Sequence, residues 1–172
     1  MKHLVSTALL CAAITALSGC GYRMGNLGHP QLSTVAVAPV TNDTMAYNGS
    51  AVLRGLLCEL FTTDGTMKLV SMREADCIVY ARIVDFHYRP IGEKRTYTGE
   101  KTFLSEEWRC YVEVEFSVVL PGRGKPLIQN RTVQSSAKYI TQPDLESSRL
   151  SALRQALYRA ARTIVSNLTE GW

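Results

Sequence analysis

The sequence predicts a single α+β domain, a two-layer sandwich in which two helices pack on one face of a mostly antiparallel sheet of four to five strands. The 172 residues are 46% hydrophobic, which is enough chain to bury one core. Two segments have the apolar spacing of amphipathic helices, and several others alternate as strands do. The predicted order is β-α-β-β-β-β-α, and elements that are apolar on one side close as two layers.

The first strand is predicted at Ser33–Val40, where apolar residues alternate and Pro39 favours an edge or a strand end. A turn is expected at 41–44. The first helix is expected from about Ser50 to Phe61, and Asp64-Gly65 ends it. A short strand at Met67–Val70 follows. The apolar stripe of the helix comprises Leu53, Leu56, Leu57, Leu60 and Phe61.

Three further strands and a long helix complete the domain. Strands with alternating side chains are predicted at Ala75–Phe86 and Trp108–Leu120, and an unusually polar strand is predicted at Leu127–Tyr139. The helix carries its apolar stripe from Leu150 to Leu168, and Thr141, Pro143 and Asp144 mark its start. One face of the predicted sheet is apolar. The other face carries charged side chains, which include Arg82, Glu113 and Glu115. This second face is either solvated or reserved for a partner.

The N-terminal residues are typical of an export signal. A polar start at Lys2 and His3 precedes an apolar stretch from Leu4 to Leu17, shorter than the roughly 20 residues of a membrane span. Leu17-Ser18-Gly19-Cys20 is similar to the bacterial lipobox. We therefore expect a lipoprotein signal peptide at 1–19, a lipidated flexible tether at 20–31 beginning with acylated Cys20, and one domain at 32–172. The alternative is an ordinary signal peptide with a chance cysteine.

Three cysteines remain after processing, so at most one intramolecular disulfide can form. No Cys-x-x-Cys is present, which leaves no redox or zinc signature. We expect Cys58, Cys77 and Cys110 to be small buried residues. Cys77 and Cys110 both lie at core-facing positions of predicted strands, so they are the one pair suspected of forming a disulfide.

Catalytic motifs are missing from the sequence. It contains no His-Glu-x-x-His, no Gly-x-Ser-x-Gly and no phosphate-binding glycine loop. We expect no enzymatic activity, no cofactor and no metal site, and a hydrolase using His87 with a nearby acid is the weakest alternative. The net charge of +4, from 19 Lys+Arg against 15 Asp+Glu, is too small and dispersed to indicate a nucleic-acid partner.

The stretch His87–Glu107 reads as a long irregular connection between two strands, in which cations alternate with aromatic residues. Arginine matches phosphate oxygens bidentately, so this stretch is a candidate contact for phosphorylated lipid head groups. A solvated loop and a contact with a protein partner are the alternatives. The candidate residues are Arg89, Lys94, Arg95 and Lys101.

Several short motifs follow one another along the chain. They are Leu-Ser-Gly-Cys-Gly-Tyr-Arg at 17–23, Val-Ala-Val-Ala-Pro-Val at 35–40, Met-Lys-Leu-Val at 67–70 and Glu-Ala-Asp-Cys-Ile-Val at 74–79. Their order resembles the LptE family, the lipopolysaccharide-assembly lipoproteins of the outer membrane. The resemblance runs from Cys20 to about Leu168. It implies a β-α-β-β-β-β-α sandwich with Cys20 as the lipidated residue.

The same resemblance implies a function. Family members sit as a plug inside the large β-barrel protein LptD and help deliver lipopolysaccharide to the cell surface. The expected partners are therefore an LptD-like barrel, lipopolysaccharide and, through the acyl anchor, the periplasmic face of the outer membrane. Gly21 after the acylated cysteine also favours the outer membrane by resemblance to exported lipoproteins. The alternative is an accessory lipoprotein of another envelope secretion or assembly machine with a similar small α/β core.

Overall fold

A computed structural model describes residues 29, 31–91, 107–140 and 144–170 of the chain. It contains six strands and two helices in the order β1 (Thr34–Val37), β2 (Thr41–Asn42), α1 (Gly49–Asp64), β3 (Lys68–Leu69), β4 (Cys77–Pro90), β5 (Glu107–Val119), β6 (Ile128–Ile140) and α2 (Leu145–Thr169). The predicted signal peptide at 1–19, Cys20 and nearly all of the tether at 20–31 lie outside the described residues.

The strands form one open, mixed sheet in the order β3-β1-β4-β5-β6, with β2 pairing to β4. The three long strands are antiparallel, whereas the three short ones run parallel to their neighbours. This confirms the predicted α+β sandwich. The predicted turn at 41–44 was wrong in part, because Thr41 and Asn42 stay extended and pair with Arg82 and Ile83 as a sixth strand.

Both helices pack on one face of the sheet and against each other. α1 ends at Gly65, whose φ of 69° is left-handed and whose N–H donates to the Phe61 carbonyl. α2 begins after Asp144, whose side chain accepts from the backbone N–H groups of Glu146 and Ser147. Both ends agree with the sequence prediction. The largest fully buried side chains include Leu53, Phe61, Phe116, Leu157 and Ile164.

Hydrogen bonds to the Asp76 side chain connect the start of β1 to the start of β4. Its carboxylate accepts from the Ser33 N–H, the Ser33 hydroxyl and the Thr34 N–H, each at 2.9 Å. The backbone hydrogen bond from Ser33, followed by the hydroxyls of Thr34 and Ser33, lowers the pKa of Asp76 to about 2. The charged form of this carboxylate therefore stabilises the first strand pairing.

The suspected Cys77–Cys110 disulfide was wrong, and Cys58, Cys77 and Cys110 are all free. Cys77 begins β4, whereas Cys110 of β5 pairs with Tyr88 at the other end of that strand. Eleven residues of extended β4 separate Cys77 from Tyr88, a span of about 36 Å at the usual rise per residue. A disulfide bridges Cα atoms no more than about 7 Å apart. Cys77 and Cys110 are instead fully buried core residues, as expected, and Cys58 is partly buried beside the core.

Among the helices of the described segments, none combines the length and the apolar character that crossing a membrane requires.

Candidate functional site

The sheet face opposite the helices, here called the open face, carries mostly polar and charged side chains. At its centre Arg82 forms ion pairs with Asp43 at 3.2 Å and with Glu115 at 3.1 Å. Gln134 donates to Glu113 at 3.0 Å. Arg82 is therefore paired with two carboxylates, and the polar character of this face agrees with the alternation predicted along β5.

Cations line the open face at the end of the sheet where β4 finishes and β5 begins, here called the distal end. Arg89 of β4 lies directly opposite Arg109 of β5, which lies directly opposite Lys138 of β6. Directly opposed residues point to the same sheet face, so these three side chains form one cationic row. Lys138 pairs with Glu107 at 3.0 Å. Within the described segments, no carboxylate lies at ion-pair distance from Arg89 or Arg109.

An aromatic pair supports the cationic row. In the adjacent register position, His87 and Tyr111 stack with ring centroids 5.1 Å apart and an interplanar angle of 16°. The guanidinium carbons of Arg89 and Arg109 lie 5.8 Å and 5.9 Å from the centroid of the same Tyr111 ring. Cation–π attraction holds both arginines beside this ring. The His87 Nδ1 lies 2.9 Å from an Asp85 carboxylate oxygen.

The structure brings one of the four candidate loop residues, Arg89, into this site. Lys94, Arg95 and Lys101 lie outside the described residues. The prediction that the whole stretch from His87 to Glu107 is irregular was wrong at both ends, because β4 continues to Pro90 and β5 begins at Glu107. Cross-strand pairing keeps these ends extended.

Arg109 and Lys138 are not among the site residues predicted from the sequence. The alternation of side chains does show that both residues lie on the polar face of their strands. Their juxtaposition with Arg89 depends on the register of two strand pairings, which alternation alone leaves open. A search for cations at the polar positions nearest the strand ends would have found them.

The arrangement is suited to binding anions. Two guanidinium groups on one ring, with an ammonium beside them, present several donors to phosphate or carboxylate oxygens. The hydrolase alternative requires an acid near His87, and Asp85 lies beside it. This pair lies on the open face, with side chains 36% and 55% exposed, and His87 stacks on Tyr111. No group of three or more His, Cys, Asp or Glu side chains in the described segments could hold a metal ion.

Comparison with solved structures shows a shared fold. The chain is similar to a minor lipoprotein from Acinetobacter baumannii, with 14% identity over 81% of this chain and 94% of that one and a TM-score of 0.52. A Caulobacter crescentus protein described as a lipoprotein has 15% identity over 78% and 88% of the two chains, with a TM-score of 0.51. A Xanthomonas campestris protein of the DUF330 family has 14% identity over 86% and 91%, with a TM-score of 0.54.

Neither a protein-family model nor a curated protein sequence matches the chain. The structural likenesses, at 14% to 15% identity, establish the α+β fold and its topology.

Proposed function

We propose that this protein is a lipid-anchored, non-catalytic envelope protein that binds a large LptD-like β-barrel at the periplasmic face of the outer membrane and assists lipopolysaccharide assembly. The observation that carries the proposal is the cationic row on the open face, in which Arg89 and Arg109 share the Tyr111 ring. The lipobox at Cys20 and the motif order shared with the LptE family support it.

The cationic row supports contact with phosphorylated lipid. Arg89 is exposed and Arg109 is partly exposed, so both can reach a ligand outside the fold. Their planar guanidiniums can bind phosphate oxygens bidentately, while Lys138 adds a point charge at the edge strand. Two arginines held side by side repel each other, and an anion between them removes that repulsion.

The centre of the open face supports a protein partner with polar walls. The interior of an outer-membrane barrel is polar, so a plug should present dispersed charges of both signs. The pairs that Arg82 forms with Asp43 and Glu115 meet this requirement. They keep the centre of the face polar and leave neither Arg82 nor its two carboxylates as an isolated charge.

The lipid anchor supports the location. Two or three acyl chains on Cys20 would hold the protein at a membrane stably, whereas one chain holds only marginally. The fold likeness to lipoproteins of other bacteria agrees with this assignment. A Cys20→Ala variant should therefore remain as an uncleaved or soluble, mislocalised precursor. Normal acylation and fractionation of that variant would contradict the anchor.

Co-purification tests the partner. Tagged protein extracted from outer membranes in mild detergent should bring down one large β-barrel protein in stoichiometric amount. Recovery of a lone monomer would contradict the proposal. Recovery of components of another secretion or assembly machine would instead establish the alternative, an accessory lipoprotein of that machine, which the DUF330 fold likeness also accommodates.

A matched pair of variants tests the cationic row. Replacing Arg89, Arg109 and Lys138 with glutamine should weaken lipopolysaccharide binding at low salt by at least about tenfold, since each lost charged hydrogen bond costs about 1.5–3 kcal/mol. The control replaces three exposed arginines elsewhere, Arg54, Arg123 and Arg162, and makes the same change in net charge. Equal losses in both variants would show a net-charge effect and remove the row from the site.

A further inference from the structure

A second cluster lies at the same distal end but on the face covered by α2. Its aromatic members are Tyr88 of β4, Trp108 of β5 and Tyr139 of β6, and Trp108 and Tyr139 are directly paired. The rings of Tyr88 and Tyr139 meet edge to face, with centroids 5.6 Å apart. Arg149 of α2 lies over Tyr88, with its guanidinium carbon 5.5 Å from the ring centroid. We call these four residues the distal aromatic cluster.

Among the described residues, three polar atoms of this cluster are buried with no hydrogen bond of standard geometry. They are the Trp108 Nε1, the Tyr139 hydroxyl and the Arg149 Nε, and Tyr139 as a whole is only 7% exposed. Burying a polar group without a partner costs folding free energy, so such groups are uncommon and call for an explanation. Three of them within one cluster point to a ligand that completes their hydrogen bonds.

The chemistry of the three atoms specifies the ligand group. Indole Nε1 and arginine Nε are donors that cannot accept, and a phenol hydroxyl can donate. Hydrogen bonding with the Tyr139 hydroxyl is the chief cause of the raised pKa of Arg149, although this contact falls short of standard hydrogen-bond geometry. The missing partner is therefore an acceptor with more than one oxygen.

We propose that the distal aromatic cluster is a binding site for a carboxylate group, held by the Trp108 indole N–H, the Tyr139 hydroxyl and the Arg149 Nε–H. The proposal is independent of the function proposed above and uses none of the residues of the cationic row.

The local charge favours a singly charged carboxylate over a phosphate dianion. Arg149 is the one cation of the cluster, and its Nη1 already lies 3.2 Å from Glu146. The carboxylate of Asp144 is adjacent at the start of α2, where it caps two backbone N–H groups. A dianion would meet two carboxylates and one cation, whereas a carboxylate adds a single charge opposite Arg149.

An apolar side chain beside the cluster fits a hydrocarbon attached to that carboxylate. Leu145 lies four residues before Arg149, on the same side of α2, and is 37% exposed. A carboxylate carried on an alkyl chain would therefore bury apolar surface of Leu145 that water now covers.

Arg149 can move when a ligand enters the site. Its side chain is 36% exposed, and its partner Glu146 is 75% exposed. Exposed i,i+3 ion pairs contribute little to stability, so the guanidinium can leave Glu146 at low cost. Arg149 then closes over the carboxylate that its Nε binds.

Binding can be measured on the full chain by NMR, by following the indole N–H signal of Trp108, which Trp108→Phe identifies. Decanoate below its micelle concentration should shift this signal and raise the melting temperature. Acetate should shift the same signal at higher concentration, because it supplies the carboxylate without the hydrocarbon. Inorganic phosphate should not shift it. If neither decanoate nor acetate shifts the signal, the proposal is wrong.

Tyr139→Phe separates a binding role from a structural one. It should weaken decanoate binding by about tenfold, through loss of one charge-assisted hydrogen bond. Without ligand it should raise the melting temperature by about 2–4 °C, because an unpaired buried hydroxyl is removed. The control is Tyr158→Phe on α2, where the side chain is 40% exposed and both quantities should stay unchanged. A lower melting temperature of unliganded Tyr139→Phe would show that the hydroxyl already has a partner, and would overturn the proposal.

Discussion

Arg89 and Arg109 lie directly opposite each other on adjacent antiparallel strands, with both guanidiniums within 6 Å of the Tyr111 ring centroid. Like charges in directly opposed positions destabilise a sheet. Cation–π contact with one shared ring offsets part of that cost. A role in binding therefore explains this arginine pair better than a contribution to folding stability does.

Arg109→Gln should stabilise the unliganded protein while weakening its anion binding. Removing one charge of the opposed pair should raise the free energy of unfolding by about 0.2–1 kcal/mol, measured by urea denaturation at low salt. The gain should shrink at high salt, where the repulsion is screened. Arg123→Gln in the β5–β6 turn is the control and should have no such effect. A loss of stability in Arg109→Gln would show that the guanidinium contributes favourably to the fold.

The Asp76 carboxylate predicts acid sensitivity. Its pKa is lowered from 3.8 to about 2, chiefly by the hydrogen bond from the Ser33 backbone N–H. A lowered folded-state pKa contributes stability that is present above pH 4 and is lost as the pH falls towards 2. In urea unfolding between pH 5 and pH 2, Asp76→Asn should show a flatter pH dependence than the parent protein. Glu59→Gln, an exposed position on α1, should leave the slope unchanged; equal slopes for all three proteins would contradict the role of Asp76.

Alanine substitutions at Gly55 of α1 and at its capping residue Gly65 should change the free energy of unfolding in opposite directions. Gly55 is exposed within the helix and an added Cβ meets nothing within 4 Å, so Gly55→Ala should stabilise by about 0.5–1 kcal/mol. Gly65 ends the helix with a φ of 69°, so Gly65→Ala should destabilise by about 1 kcal/mol although space is available. Urea midpoints of the two variants provide the measurement. Effects of the same sign would show that backbone conformation does not govern these sites.

The cysteines should differ in reactivity. Burial raises the pKa of both Cys77 and Cys110 to about 12, so neither forms appreciable thiolate at pH 8. Iodoacetamide applied to the folded protein should label Cys58 first among these three, as mapped by peptide mass spectrometry. All three should react in denaturant without reductant. A linked Cys77–Cys110 peptide would contradict the fold, because the register of β4 with β5 holds these residues far apart.

Local patterning predicted most of the fold. Alternation along β5 assigned Cys110, Val112 and Val114 to the core, and burial confirms this. The capping residue Asp144 and the terminating Gly65 marked helix ends because capping depends on neighbouring residues alone. β2 escaped prediction because two extended residues carry no periodicity, and only their pairing with β4 makes them a strand.

The candidate site was less predictable than the fold. Arg89 was identified from its cationic and aromatic neighbours in the sequence, whereas Arg109 and Lys138 belong to other strands, 20 and 49 positions further along the chain. Tyr111 joins two arginines only because His87 pairs with Tyr111 in the β4–β5 register. The unpaired donors of Trp108 and Tyr139 carry no sequence signal, since a missing hydrogen bond is a property of the packed structure.

The sequence by itself determined most of the residues that face the core and marked where the helices begin and end, and it shows a lipobox-like motif before one α+β domain. These follow from periods of two and 3.6 residues and from local motifs, which need no knowledge of the fold. Leu150, predicted on the apolar stripe of α2, is instead 50% exposed. The tertiary structure alone decided that Cys77 and Cys110 lie far apart, that Arg89, Arg109 and Lys138 form one row, and that three donors are buried together. Each of these depends on strand register. A register shift of two residues would change which residues lie opposite one another but would leave the alternation intact.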